Sequence, residues 1–387
     1  MPEGAPFMQQ PENPVPNQTM KIAFDHHIFS MQRYGGISRY FVRLAEGLSE
    51  LGASTNILAP YYQNRYMRDI IGTKVFGKEL KQPLSRVSRL HFLANPFMAN
   101  RLCKRIDPDI IHETYYAANP LRGNPRARIV TVHDMIHEKF RSSFSKNDST
   151  TKRKLHAVTR ADHAICISQN TKADLCEIFS IPEDKISVVH LGFDEPPWNE
   201  TQSAAIAGER PYLLYVGNRG GYKNFTTLLR AIGSRKPIFT DFDLIAFGGG
   251  PFNRAEEALI SSLGLRDNAV RQMEGDDQAL QSLYGSAFAL VFPSLYEGFG
   301  LPPLEAMANG CPVISSNTSS MPEVIRDAAE YFSPADADSI ADAIEAVATS
   351  ADRRGELIQL GRTRLGAFSW KKCSIETLDA YNRATSQ

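Results

Sequence analysis

Short apolar runs alternate with helix-spaced apolar positions along most of the chain. The first run lies at 20–25, and Ile37, Phe41 and Leu44 then follow at a spacing that places them on one face of a helix. Strands that alternate with helices in this way predict an α/β protein built on parallel sheets. Further apolar runs that we interpret as strands lie at 54–59, 109–112, 127–134, 161–168, 186–194, 212–217, 244–250, 288–292 and 313–316.

The alternation is interrupted once, and this divides the chain into two parts. Residues 195–210 are rich in proline and small polar residues, and we interpret them as a linker between a first domain at 20–194 and a second domain at 211–369. Residues 1–19 contain several prolines and few apolar side chains, so we expect a disordered tail. The total of 387 residues is enough for two domains of ordinary size.

The charge balance and the cysteines argue against several kinds of protein function. Lys plus Arg and Asp plus Glu number 43 each, so no overall positive field points to nucleic acid. The five cysteines are scattered without a Cys-x-x-Cys spacing, which favours a reducing compartment and argues against a structural metal site. Because no apolar run reaches the length of a membrane span and no secretory signal precedes residue 20, we expect a cytoplasmic protein.

A strand, loop and helix near residue 300 carry the strongest chemical signal. The apolar run at 288–292 leads into a polar loop with Glu297, Gly298 and Gly300, and Pro302-Pro303 opens a helix whose first turn should hold Glu305. Two carboxylates accept hydrogen bonds from hydroxyl groups, and the glycines let backbone N–H groups approach an anion. The motif predicts a site for a polyhydroxylated, anionic ligand. The alternative is an ordinary loop with two surface glutamates.

Three other strand ends carry residues suited to the same ligand. Gly35-Gly36 lies between a strand and a helix, where phosphates can approach, although two glycines also suit a simple turn. His133 ends the run at 127–134 and could donate to a sugar or phosphate, or bond within the core. Arg219 and Lys223 bracket a glycine turn and could neutralise a diphosphate without a metal; as an alternative they are solvated loop charges.

These motifs occur in an order that resembles the family 4 retaining glycosyltransferases, which use nucleotide sugars. The match consists of the Glu297–Glu305 pair, the Gly35-Gly36 loop, His133-Asp134 and the Arg219/Lys223 pair. The resemblance implies a GT-B fold, in which two Rossmann-like domains face each other across a cleft and the last helix, at 370–387, crosses back to the first domain. It also implies that the donor is held mainly by the second domain.

The resemblance implies a role for each residue of the site. The Gly35-Gly36 loop would lie under the donor diphosphate, His133 would reach the donor sugar, and Arg219 and Lys223 would stabilise the leaving diphosphate. Glu305 would hold the ribose, and the turn at Met273 would border the base. The donor-sugar hydroxyls would be held by Glu297 and by the backbone of Gly298, Phe299, Gly300 and Leu301. The sequence lacks a placed Asp-x-Asp pair, so we expect no metal and no cofactor besides the donor.

The first strand and glycine loop are similar to those of mannosyltransferases in bacterial surface-polysaccharide assembly. We therefore expect GDP-mannose as donor, ahead of UDP- or dTDP-hexoses, and a saccharide or lipid-linked oligosaccharide as acceptor. The family keeps the anomeric configuration, which implies a front-face displacement. Two alternatives stay open at this point: a hydrolase that uses Glu297 and Glu305 as acid and base, and a non-catalytic nucleotide or carbohydrate binding protein.

Residues 61–106 depart from the alternation of strands and helices. Clustered cations such as Arg86, Arg89 and Arg101 are interleaved with aromatic and apolar side chains such as Phe92 and Phe97. Such a segment suits an anionic membrane surface, which would make the protein peripheral at the inner face of the membrane. A solvated helical face over the sheet explains the pattern equally well.

Overall fold

The computed structural model describes residues 19–80, 86–194, 210–235 and 240–386, and of residues 86–92 it describes the backbone only. Nearly all of the expected tail and of the expected linker, and the side chains of Arg86, Arg89 and Phe92, therefore lie outside the described residues.

The first half of the chain forms a parallel sheet with helices on both faces. Its strands are β1 (Lys21–Phe24), β2 (Ser54–Ile57), β3 (Tyr61–Tyr62), β4 (Lys74–Val75), β5 (Lys78–Glu79), β6 (Ile110–Glu113), β7 (Ala127–Val132), β8 (His163–Cys166) and β9 (Ile186–Val188). Its helices are α1 (His27–Met31), α2 (Gly36–Glu50), α3 (Arg86–Ile106), α4 (Ile136–Lys139), α5 (Thr150–Arg160) and α6 (Gln169–Phe179). In the described residues the sheet runs in the order β4-β2-β1-β6-β7-β8-β9, and β3 and β5 pair separately.

The second half repeats the plan. Its strands are β10 (Tyr212–Val216), β11 (Asp243–Phe247), β12 (Val270–Met273), β13 (Ala289–Phe292), β14 (Val313–Ser316) and β15 (Ala329–Phe332). Its helices are α7 (Phe225–Ser234), α8 (Arg254–Ser262), α9 (Asp277–Ser286), α10 (Leu301–Ala308), α11 (Met321–Ile325), α12 (Ala337–Thr349), α13 (Ala351–Leu365) and α14 (Trp370–Thr385). Over the described part of this half, the parallel strands run in the order β12-β11-β10-β13-β14-β15. Two Rossmann-like sheets of this kind confirm the predicted fold class.

The last helix returns to the first sheet. Helix α14 packs against α2, β7 and β8. The hydroxyl of Tyr381 lies 2.6 Å from Nδ1 of His112, and the other ring nitrogen of His112 lies 2.8 Å from the hydroxyl of Thr131. His112 is thus a buried structural residue that ties the last helix to the first domain.

Each sheet has a point at which the strand order reverses, and ligands of such sheets bind there. In the first sheet, β1 lies between β2 and β6; in the second, β10 lies between β11 and β13. Leu214 of β10 pairs with Leu290 of β13, so the loops that follow these two strands leave the sheet side by side. Arg219 and Lys223 lie on the first of these loops and Glu297 lies on the second.

Candidate active site

The loops after β10 and β13 bring Lys223 and Glu297 into direct contact. Lys223 ends a 3-10 turn at Gly221–Lys223, and its ammonium nitrogen lies 2.6 Å from Oε1 of Glu297. The two side chains are 18% and 11% exposed, so this ion pair is well shielded from water. The pair places a cation and a carboxylate side by side at this edge of the sheet, and charge-assisted contacts of this kind are stronger than those between neutral groups.

The loop that carries Glu297 is held in shape by two serines of the next loop. The backbone N–H of Glu297 donates to Oγ of Ser319 at 2.9 Å. The hydroxyl of Ser320 is shared between the carbonyls of Glu297 and Phe299, at 2.9 and 3.2 Å. These serines lay outside the sequence prediction, because nothing in their local pattern points to a loop more than twenty residues earlier.

Helix α10 begins beyond this loop at Leu301, preceded by Gly300 with φ of +99°. That backbone conformation is strained for any residue with a Cβ, which explains the glycine. Pro302 and Pro303 lie in the first turn as predicted. Glu305 lies slightly further along than expected, at the start of the second turn.

The first domain closes over the second at two glycines. A Cβ added to Gly298 would lie 1.9 Å from the carbonyl oxygen of His133, so only glycine fits there. A Cβ added to Gly36, the first residue of α2, would lie 3.9 Å from Cδ1 of Leu301. The expected glycine loop, which includes Gly35 as the residue before α2, thus faces the helix of the glutamate motif across the cleft.

His133 is buried at the end of β7, with its ring edge-on to Tyr40 at 5.4 Å between centroids. Its Nε2 is buried and has no hydrogen-bond partner within the structure. Burial lowers the pKa of His133 to about 4, against the opposing charge of Asp134. The imidazole is therefore neutral near pH 7 and can donate to, or accept from, a hydroxyl group.

Glu305 lines a cleft between the domains. Its carboxylate accepts a hydrogen bond from the hydroxyl of Tyr284 at 3.3 Å and lies 3.8 Å from the guanidinium of Arg39, which also pairs with Asp194. Burial raises the pKa of Glu305, and Arg39 opposes the shift. The cleft is open to solvent and is also lined by Phe193 and Asp277.

Arg219 lies in the loop after β10 as expected, but its guanidinium is engaged within the protein. All three of its guanidinium nitrogens donate within the protein: to the carbonyls of Gly248, Gly250 and Pro251 at 2.7, 2.8 and 2.8 Å, and to Glu256 at 3.0 Å. Arg219 is 7% exposed and braces this turn in the structure, and its expected role towards a diphosphate stays a prediction. Sequence spacing missed this because the partners lie some thirty residues further along the chain.

The turn that Arg219 braces adjoins Met273. The three glycines at 248–250 all have positive φ, between +71° and +90°. The N–H of Gly248 donates to the carbonyl of Met273 at 2.9 Å, where β12 ends. Met273 thus lies beside a turn whose shape depends on Arg219, and its expected contact with the base of a nucleotide stays a prediction.

The outer side of α3 forms a separate exposed surface, the α3 surface, made of Leu93, Phe97, Arg101 and Lys104. Leu93 and Phe97 are 76% and 77% exposed and lie one helical turn apart. Elsewhere in residues 61–106 the positive charge is partly neutralised, because Arg65 and Arg68 both pair with Glu79. No helix in the described ranges is long and apolar enough to cross a membrane.

The two halves of the chain match two descriptions in succession. Residues 34–195 match Glycosyltransferase Family 4, and residues 197–364 match Glycosyl transferases group 1. The chain belongs to the group 1 glycosyltransferases of family 4. The two matches therefore confirm the predicted family and enzyme class of this glycosyltransferase. They favour it over the hydrolase and over the non-catalytic binding protein.

Two relatives of this glycosyltransferase are named as mannosyltransferases. The O-antigen chain mannosyltransferase RfbU of Salmonella typhimurium is 25% identical over 82% of this chain and 90% of its own. The O-antigen chain mannosyltransferase B of Escherichia coli is 31% identical over 56% of this chain and 59% of its own. Sucrose-phosphate synthase from Thermosynechococcus elongatus matches the structure with a TM-score of 0.73 at 21% identity, over 94% of this chain and 98% of that one. The fold is GT-B.

The structure thus brings several of the predicted residues of this glycosyltransferase into local contact. Lys223 and Glu297 are in contact, His133 touches the loop at Gly298, and Gly36 faces Leu301. Glu305 lines an interdomain cleft next to Arg39. The catalytic roles of these residues stay predictions.

Proposed function

We propose that this enzyme transfers mannose from GDP-mannose, with retention of anomeric configuration, to a saccharide or lipid-linked oligosaccharide in surface-polysaccharide assembly. The observation that carries the proposal is the shielded contact between Lys223 and Glu297, 2.6 Å apart, at the reversal point of the donor-side sheet. Two relatives named as O-antigen mannosyltransferases favour mannose over other hexoses.

The donor diphosphate would lie between Lys223 and the glycine loop at Gly36. When the bond from the sugar to the diphosphate breaks, negative charge grows on the leaving oxygen and positive charge on the sugar ring. An ammonium already held in a shielded site stabilises the leaving group without needing to reorganise. In this proposal Lys223 is the main cation for that step, because the guanidinium of Arg219 is engaged by the turn at 248–251.

The sugar would be oriented by groups on both sides of the cleft. Glu297 and the backbone N–H groups of 298–301 would bind its hydroxyls, and the neutral imidazole of His133 would bind another. The carboxylate of Glu305 would accept the ribose hydroxyls. Retention follows if the acceptor attacks from the face that the diphosphate leaves, with the departing phosphate taking the acceptor proton.

Product analysis tests the proposal. The enzyme is incubated separately with labelled GDP-mannose, UDP-glucose and dTDP-glucose in the presence of membrane extract from a polysaccharide-producing bacterium. We expect labelled mannose in a lipid- or saccharide-linked product, and an α-linkage by nuclear magnetic resonance. Transfer from a uridine or thymidine donor in preference to GDP-mannose would overturn the choice of donor, and a β-linked product would overturn retention.

A further inference from the structure

Helix α6 of the first domain contacts the second domain at two places, one at its first residues and one in its second turn. At its start, the N–H groups of Gln169 and Asn170 donate to the carboxylate of Glu323, at 2.8 and 3.3 Å. The same carboxylate lies 2.7 Å from Nε2 of His190. Glu323 belongs to the second domain, so it caps a helix of the first domain.

Five residues along α6, Asp174 makes a second contact across the interface. The hydroxyl of Tyr296 donates to Oδ2 of Asp174 at 2.6 Å, and the two residues are 4% and 5% exposed. Asp174 also pairs with Lys139, whose ammonium lies 5.5 Å from the centre of the Tyr296 ring. A buried hydrogen bond to an ionised carboxylate is among the stronger single contacts in proteins.

Tyr296 directly precedes Glu297 in the chain. The backbone on the other side of Glu297 is fixed as well, because Gly298 lies against the carbonyl of His133. Glu297 is therefore held between two contacts with the first domain. Separation of the domains would break both and leave the loop held only by contacts within the second domain, such as those with Ser319 and Ser320.

We propose that Asp174 and Tyr296 are positioning residues, which place Glu297 for catalysis only when the two domains are closed. The inference rests on the proposed role of Glu297 in holding the donor sugar. It makes domain closure and alignment of the carboxylate one event. Small errors in the position of such a group cost rate rather than affinity when the nucleotide is bound mainly elsewhere.

Replacement of Tyr296 by Phe tests this step. The variant keeps the ring and removes only the hydroxyl, and Asp174 keeps its contacts with Lys139 and Asn170. We expect kcat to fall about tenfold, with KM for the donor changed less than about twofold. Tyr212→Phe is the matched control, because that buried hydroxyl donates to the carbonyl of Leu283 at 2.6 Å within the second domain.

Two further measurements separate this idea from a general loss of stability or from an error in the proposed function. In the double variant of Tyr296→Phe and Asp174→Ala, kcat should fall no further than in Asp174→Ala alone, since both act through one contact. Hydrogen exchange of residues 294–300 should be faster in Tyr296→Phe than in the wild type, with or without turnover.

Unchanged exchange in Tyr296→Phe, unchanged kcat in that variant, or an equal loss of kcat in Tyr212→Phe would overturn the inference. An inactive wild type would refute the proposed function, whereas the exchange data would still report on the contact.

Discussion

The ammonium nitrogen of Lys223 lies 2.6 Å from Oε1 of Glu297, although the two residues are 74 positions apart. The contact exists because β10 and β13 are neighbours in the sheet and their loops leave it at the same edge. Tyr222 and Phe292 place aromatic rings within 5.4 and 5.7 Å of the ammonium, which screens the pair from water. A charge held in such surroundings acts more strongly on a nearby phosphate than one in solvent.

Replacement of Lys223 by Ala should reduce turnover far more than stability. We expect kcat to fall about 10²–10³-fold, as for loss of one preorganised charge-stabilising donor. Initial rates with labelled donor, together with thermal unfolding, measure both effects. Lys371→Ala, which removes an exposed lysine of α14, is the control. Near-normal turnover in Lys223→Ala would remove this residue from the mechanism.

Replacement of Gly298 by Ala should force the two domains apart locally, because its Cβ would lie 1.9 Å from the carbonyl of His133. We expect kcat/KM to fall at least about tenfold, since catalysis needs both faces of the cleft. Gly285→Ala is the matched control, because an added Cβ there meets no atom within 4 Å and the residue lies in α9. That change should leave activity unaltered and raise stability by about 0.5–1 kcal/mol. Normal kinetics in Gly298→Ala would show that the closed contact is not needed for transfer.

The strand-end residues could be predicted from sequence because their chemistry depends on local order alone. A buried run, a glycine-containing loop and a helix start show that Glu297 and Lys223 each follow the end of a strand. Because the strands are parallel, both residues then lie at the same edge of the sheet. Arg219 shows the limit of this reasoning. Its position after β10 was clear, but its direction depends on the carbonyls of a turn at 248–251 and on Glu256.

The contacts that hold the loop of Glu297 could not be predicted for a related reason. Tyr296 meets Asp174 only when two separately folded sheets pack together, and no periodicity encodes that distance. Ser319 and Ser320 resemble any loop serines in the sequence. Arg39 carried a weak signal, since it follows the glycine pair by three residues, yet its carboxylate partners Asp194 and Glu305 come from distant parts of the chain.

Acid pH should destabilise the fold partly through His133. Burial lowers the pKa of this imidazole to about 4 in the folded protein, whereas the unfolded value is near 6.5. The contribution of the neutral imidazole to the free energy of unfolding is therefore complete above about pH 6.5, and it is lost as the pH falls towards 4. When the pH is lowered from 7 to 5, the free energy of unfolding of the wild type should fall by on the order of 2 kcal/mol more than that of His133→Asn, because the variant lacks the imidazole. Denaturant titrations at both pH values measure this, with His156→Asn, an exposed histidine of α5, as control. Equal pH dependence in wild type and His133→Asn would contradict a neutral buried imidazole.

Transfer should continue in excess EDTA. In the parts of the chain that the structure describes, no group of three His, Cys, Asp or Glu side chains could hold a metal ion, and the proposed diphosphate site relies on Lys223. The measurement compares initial rates before and after chelation, with a metal-dependent glycosyltransferase assayed alongside to confirm that the chelator works. Activity that disappears and is restored by Mg²⁺ or Mn²⁺ would overturn the metal-free site.

The enzyme should bind anionic membranes through the α3 surface. Leu93 and Phe97 expose large apolar side chains, and Arg101 and Lys104 follow on the same side of the helix. Two apolar side chains that enter the lipid headgroup region and cations above it form the usual pattern of a peripheral attachment. This surface belongs to the first domain, so attachment would bring a lipid-linked acceptor close to the cleft.

Vesicle sedimentation tests this attachment. Each Lys or Arg near an anionic surface contributes on the order of 1 kcal/mol, and salt screens that attraction. We therefore expect binding to vesicles containing phosphatidylglycerol that weakens at high salt, and poor binding to neutral vesicles.

The double change Leu93→Ser and Phe97→Ser should weaken binding at every salt concentration, whereas Arg86, Arg89 and Arg101 changed to Ser should weaken it mainly at low salt. Ile71→Ser is the matched control, since Ile71 is 77% exposed and its backbone N–H donates to Glu46 of α2 rather than to α3. Donor hydrolysis without acceptor should be unaltered in all of these variants, because the described side chains among them, Leu93, Phe97, Arg101 and Ile71, do not line the cleft at Glu305. If the α3 variants bind anionic vesicles as well as the wild type does, this segment is a solvated face over the sheet.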